Sequence, residues 1–125
     1  MKNILKKPSE HQEQCTIFTW ADLNQYKYPC LEYMFGTLNG VPMKIWQAAK
    51  AKRAGNKKGV PDIILPYNNG KYCGLYVELK IPGGTIKPEQ KDYINYLSGQ
   101  GYFADVRVGS QEAIDLIIDY CEGLI

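Results

Sequence analysis

Gly59-Val60-Pro61-Asp62-Ile63-Ile64-Leu65, followed by Gly74-Leu75-Tyr76-Val77-Glu78-Leu79-Lys80, sets the architecture of this chain. Both runs are apolar and short, as strands are, and Asn68-Asn69-Gly70 between them is a turn signal. The expected structure is a hairpin of Asp62–Tyr67 and Tyr72–Lys80. Side chains alternate faces along a strand, so Glu78 and Lys80 share one face and Leu79 takes the other. In a hairpin the start of one strand lies beside the end of its partner. Asp62 is therefore expected close to Glu78 and Lys80.

Helices are expected on either side of this hairpin. Ser9 with Gln12 makes a capping box for a helix over about 10–24, with Cys15, Ile17, Phe18 and Ala21 on its apolar side. A short strand is expected near Tyr33–Leu38, closed by Asn39-Gly40. Residues 43–54 read as a second helix stopped by Gly55. Pro88 opens a third helix running to about Ser98, packed through Tyr93, Ile94 and Leu97. Tyr102–Val108 reads as a strand with Ala104, Val106 and Val108 on one face. Ser110 is the expected cap of a last helix that turns Ala113, Ile114, Ile117 and Ile118 inward. The class is α/β, with a mixed central β-sheet flanked by helices. Residues 1–8 form a basic tail, and residues 9–125 form one domain.

Composition narrows the options. With 45% hydrophobic and 22% charged residues the chain is globular rather than disordered. Cys15, Cys30, Cys73 and Cys121 make no CxxC pair, and His11 is the lone histidine, which argues against a structural zinc site. Free thiols in a reducing cytoplasm are the simpler reading of widely spaced cysteines, although two disulfides are arithmetically open. No stretch approaches membrane-spanning length, so a cytoplasmic protein is expected. The tyrosines, Trp20 and Trp46 are read as packing residues.

The net charge of +2 is unevenly spread. Between Glu32 and Asp62 no acid occurs, whereas Lys44, Lys50, Lys52, Arg53, Lys57 and Lys58 all do. This is either a solvated helix face or a surface for a polyanion, and its position beside Asp62 favours the latter. The carboxylates of Asp62 and Glu78 suit Mg²⁺ or Mn²⁺ and an activated water. Lys80 is placed to orient that water and to offset charge on a phosphorane-like transition state. Metal-dependent hydrolysis of a phosphodiester is the chemistry this set supports. The blander alternatives are a turn-exit aspartate, a solvent-facing glutamate and an edge lysine. Glu10 in the first helical turn has an ordinary dipole explanation. Gln14 lies one turn on, and Gln90 two residues after Pro88 points to the site, the nucleic-acid backbone or plain solvent. Asn39 either brings backbone near a nucleic acid or only makes a turn.

Taken in order, Ser9-Glu10-His11-x-x-Gln14, Asn39-Gly40, Gly59-Val60-Pro61-Asp62, Glu78-Leu79-Lys80 and Pro88-Glu89-Gln90 resemble the VRR-NUC domain of the PD-(D/E)XK nuclease superfamily. The resemblance implies a restriction-endonuclease-like fold and metal-dependent DNA cleavage. It implies metal ligation by Asp62, Glu78 and the main-chain carbonyl of Leu79, assisted by Glu10, with Glu13 as the rival. Lys80 and Gln90 would complete the catalytic set. Lys44, Lys50, Lys52, Arg53, Lys57, Lys58, Gln14 and Asn39 would contact DNA. Small stand-alone members, which are phage and bacterial proteins, imply a homodimer acting on branched DNA such as four-way junctions. One departure is that the basic segment holds a single arginine, Arg53, and lysine lacks arginine's bidentate fork. A non-catalytic DNA-binding module on a nuclease fold is the alternative, and a dimerisation protein with incidental acids a weaker one.

Overall fold

In the computed structural model, which describes residues 6–39 and 41–125, α1 (Glu10–Leu23) leads through a 3-10 turn (Pro29–Tyr33) into β1 (Phe35–Gly36). There follow α2 (Ile45–Arg53), β2 (Ile63–Leu65), β3 (Leu75–Lys80), α3 (Pro88–Gly99), β4 (Phe103–Val108) and α4 (Gly109–Cys121). Residues 1–5 of the expected tail and Gly40 of the expected turn lie outside the described residues.

The strands form one sheet in the order β1-β2-β3-β4. The β1–β2 and β2–β3 pairs are antiparallel, and β3 joins β4 in parallel through the α3 crossover. The α/β class and mixed sheet therefore match the sequence reading. Alternation along β3 divides the two faces. Leu75, Val77 and Leu79 join Ile63 and Leu65 in the core, against Ile17 and Ala21 of α1 and Ala113, Ile117 and Tyr120 of α4. Glu78 and Lys80, on the opposite face, are also buried, as a central strand requires. The Tyr120 hydroxyl donates to the Tyr67 carbonyl at 2.6 Å, so this buried tyrosine has its polar end satisfied.

The α1 cap is as expected. The Gln12 backbone N–H donates to the Ser9 hydroxyl at 3.1 Å, and Ser9 N–H donates to Gln12 Oε1 at 2.9 Å. Other expectations are corrected. Ser110 is not the cap of α4. The chain turns at Gly109 (φ 81°), Val108 takes the cap position, and its N–H donates to the Glu112 carboxylate at 2.7 Å. Cys15 is exposed, because the inward face of α1 is centred on Ile17 and Ala21. The strand expected at Tyr33–Leu38 shrinks to Phe35–Gly36, since Pro29 starts a 3-10 turn that holds the chain to Tyr33. The hairpin strands are shorter than read, with a loop over residues 66–74. In that loop the Asn69 side chain accepts from Lys71 and Tyr72 N–H and donates to the Tyr120 carbonyl.

Trp46 is not core. It is 62% exposed, and α2 has no buried residue. Ile45 and Trp46 are adjacent in sequence, and no further large apolar residue follows three or four positions on. The helix consequently lacks the stripe by which it could pack inward.

Candidate active site

Gly59 sets the entry to the site. Its φ is 87°, and a Cβ there would fall 2.4 Å from the Glu89 carbonyl oxygen. Only a glycine allows this left-handed turn to press against the first turn of α3. The next residues, Val60 and Pro61, then deliver Asp62 to the start of β2. Because Ile63 pairs with Val77, Asp62 stands opposite Glu78. The Asp62 Oδ2 accepts the Leu79 N–H at 2.8 Å, which fixes the aspartate against the neighbouring strand.

Glu78 is 1% exposed, and neither carboxylate oxygen has a hydrogen-bond partner among the described residues. Burial raises its carboxyl from the ordinary 4.5 to about 9, the adjacent Asp62 adds to the rise, and Lys80 opposes it. Glu10 adds a smaller upward push, so α1 brings its first-turn acid within electrostatic reach. Lys80, 7% exposed, lines the same cleft as Asp62 and Glu10. Among the described residues the single ion pair is Arg107 with Asp105, so no acid lies within ion-pair distance of Lys80 there. Glu78, buried without a hydrogen-bond partner opposite Asp62, is costly to ionise unless a proton or a cation compensates it.

The donor set fits a hard divalent ion. Asp62 and Glu78 offer carboxylate oxygens, and waters can complete the shell of Mg²⁺ or Mn²⁺. Among the described residues no three His, Cys, Asp or Glu side chains are grouped so that they could hold a metal ion, so Asp62 and Glu78 stand as a pair of acidic donors without Glu10 as a third.

Glu10, Asn39, Asp62, Lys80 and Gln90 line one cleft, while Glu78 is buried and does not line it. The rival, Glu13, instead lies beside Gly109, where a Cβ would come within 3.8 Å of its carboxylate. Gln90 reaches the cleft while its Oε1 accepts Lys87 N–H at 2.9 Å, so it also caps α3. The Asn39 amide donates to the carbonyls of Lys57 (2.8 Å) and Val60 (3.3 Å). Its observed contacts therefore brace the loop that carries Gly59. Gln14 packs over Gly36 in an adjoining, more apolar cleft that shares Glu10 and Asp62. Lys52, Lys57 and Lys58 line a groove that Asn39 connects to the site, whereas Lys50 and Arg53 lie on another side of α2, with Trp46. Lys44 is exposed at the start of α2. Thr85 and Lys87 also line the site, and the sequence reading missed them. Their signal was the loop Gly83-Gly84-Thr85-Ile86-Lys87 immediately after Lys80.

The model of the VRR-NUC domain matches residues 2–111. The chain belongs to the VRR-NUC domain family. A solved structure described as a VRR_NUC domain protein superposes with a TM-score of 0.79 at 32% identity, covering 94% of this chain and 92% of that one. Comparison with curated proteins gives no match. The VRR-NUC match contains Asp62, Glu78 and Lys80 and ends inside α4. The rest of α4, with Ile114, Ile117 and Tyr120, closes the core beneath the sheet. The chain is thus a nuclease-type, DNA-acting domain. Among the described residues no helix is long and apolar enough to cross a membrane.

Proposed function

We propose that this VRR-NUC protein is a divalent-metal-dependent endodeoxyribonuclease selective for branched DNA. One observation carries the reading: a buried Glu78 carboxylate with neither oxygen hydrogen-bonded, opposite Asp62 and beside Lys80. Asp62, Glu78 and the Leu79 carbonyl would hold Mg²⁺ or Mn²⁺, with Glu10 at the cleft wall. A bound cation supplies a lowered water pKa and charge neutralisation at the phosphate. Lys80 orients the attacking water through its ammonium hydrogens and counters charge developing on the phosphoryl oxygens. Asp62 keeps its position through the Leu79 N–H, so the two carboxylates hold their spacing as substrate enters. Gln90 positions the backbone next to the scissile phosphate. Lys52, Lys57 and Lys58 draw the polyanion toward Asn39 and the cleft.

Two copies associated as a homodimer would present two such clefts to the arms of a four-way junction, in the cytoplasm. The test is cleavage of labelled four-way-junction, flap and linear duplex DNA in Mg²⁺, Mn²⁺ or EDTA, by wild type and Lys80→Ala. Metal-dependent cutting by wild type that is lost in the variant supports the assignment. Binding without cutting under every condition would leave the non-catalytic DNA-binding module instead.

A further inference from the structure

We propose that Trp46 is a stacking platform for an unpaired nucleobase, held in register by Lys50 and Arg53. The proposal rests on the DNA-acting reading above and names the feature of branched DNA that α2 would recognise. Three observations carry it. First, α2 spans Ile45–Arg53, only nine residues, and buries none of them. A helix this short is marginal in water without a partner, so its exposed face calls for an occupant. Second, Trp46 is 62% exposed and shares one shallow concavity with Ala49, Lys50, Arg53 and Ala54. Positions 46, 49, 50 and 53 fall on one helical face, so the indole and both cations face the same ligand. Third, the segment from Tyr33 to Pro61 carries no acid.

Charge selects the occupant. A second copy meeting α2 through its own α2 would set cation against cation. The acidic α4 of another copy would offer carboxylates to Lys50 and Arg53 but no flat aromatic face to Trp46, since its one aromatic residue, Tyr120, is buried. A nucleic acid supplies anionic phosphates for Lys50 and Arg53. An unpaired base supplies the aromatic face for Trp46, which bases inside a duplex keep stacked on one another. Paired DNA can use the lysines; only DNA with unpaired nucleotides can use the indole.

The experiment measures binding in EDTA, so that no strand is cut. The probes are fluorescein-labelled oligothymidylate, a fork with unpaired arms and a blunt linear duplex. Trp46→Ala is expected to weaken the fork and oligothymidylate about tenfold or more while shifting the linear duplex by about twofold or less. Trp46→Phe should recover part of the loss, because a smaller aromatic ring still stacks. An equal change on all three DNAs, or none on any, overturns the proposal. So does a Trp46→Ala protein that elutes as a smaller species than wild type with unchanged DNA affinity, which would make α2 a contact between copies. If wild-type protein binds none of the three DNAs, the DNA-acting reading itself fails.

A separate observation carries a second inference. Cys30 and Cys121 are far apart in the chain, yet their Sγ atoms lie 3.6 Å apart, and both are half-buried. We infer that they are a disulfide-forming pair for a low-molecular-weight disulfide of the glutathione class. One thiolate attacks that disulfide, forming a mixed disulfide and releasing one thiolate. The second cysteine thiolate then displaces the other, leaving Cys30–Cys121 bonded. Two protein thiols are oxidised, and one small disulfide is reduced to two thiols. Burial raises both thiols, so the exchange should quicken at alkaline pH. After treatment with oxidised glutathione, peptide mapping should find Cys30 linked to Cys121, and the melting temperature should rise. The exposed Cys15 and Cys73 serve as internal controls. Glutathione adducts on Cys15 and Cys73, with Cys30 and Cys121 still alkylatable as free thiols, would overturn it.

Discussion

Replacing Glu78 by Gln should remove an inverted pH dependence of stability. In the metal-free fold burial raises the Glu78 carboxyl from the ordinary 4.5 to about 9. Between those values the unfolded chain has released the proton while the folded Asp62–Glu78 pair retains it. The unfolded state binds fewer protons, so this group makes stability fall as pH rises, by up to about 1.4 kcal/mol per pH unit. Its contribution is complete below the unfolded value, declines through neutrality and is spent above about pH 9. From about pH 5.5 to about pH 7.5 the loss is of the order of 2–3 kcal/mol. Glu78→Gln has no proton to release and loses this slope, whatever its absolute stability. The assay is urea unfolding in EDTA at several pH values, comparing wild type with the variant. Adding saturating Mg²⁺ should flatten the wild-type curve as well, because the cation takes the proton's place. Parallel wild-type and variant curves in EDTA would show that Glu78 is not the group responsible.

Lys80→Met, which keeps an unbranched side chain in a buried position, should fold and bind DNA but cut at least about 10²-fold more slowly. Single-turnover kinetics with pre-bound DNA isolates that loss. Gly59→Ala should cost more than about 1–2 kcal/mol, since a left-handed alanine is strained and its Cβ would meet the Glu89 carbonyl; the shift of the urea midpoint reads it. Asn39→Ala should lose both braces on the loop carrying Gly59, each worth about 1 kcal/mol, and hydrogen exchange should speed there before it speeds in β3. Replacing Lys52, Lys57 and Lys58 with Gln should weaken DNA binding without regard to sequence. It should also flatten the plot of log affinity against log salt by about 0.9 for each phosphate no longer neutralised.

Much of the framework is local and was legible in the chain. Ser9 and Gln12 carry a capping box within four residues, and Pro88 opens α3 in the position that tolerates a missing N–H. The alternation Val77-Glu78-Leu79-Lys80 assigns two side chains to the core and two to the site before any packing is known. Composition likewise revealed the acid-free basic segment. These features depend on residues a few positions apart, so spacing along the chain specifies them.

Packing settled the rest. Glu10 and Glu13 are equivalent first-turn acids by sequence, and only the docking of α1 brings Glu10 to the cleft and Glu13 to Gly109. The need for glycine at position 59 comes from the Glu89 carbonyl, a backbone atom remote in the chain. Trp46 reads as a core residue by hydrophobicity alone, but α2 has no partner surface within the described residues, and the indole remains in solvent. Cys30 and Cys121 become neighbours because the 3-10 turn and the end of α4 meet. The elements, and the placement of Glu78 and Lys80 on one face of β3, were readable from residue order, because they follow from local geometry and residue type. Burial, orphaned charge and proximity belong to surfaces that exist only after the chain has closed on itself.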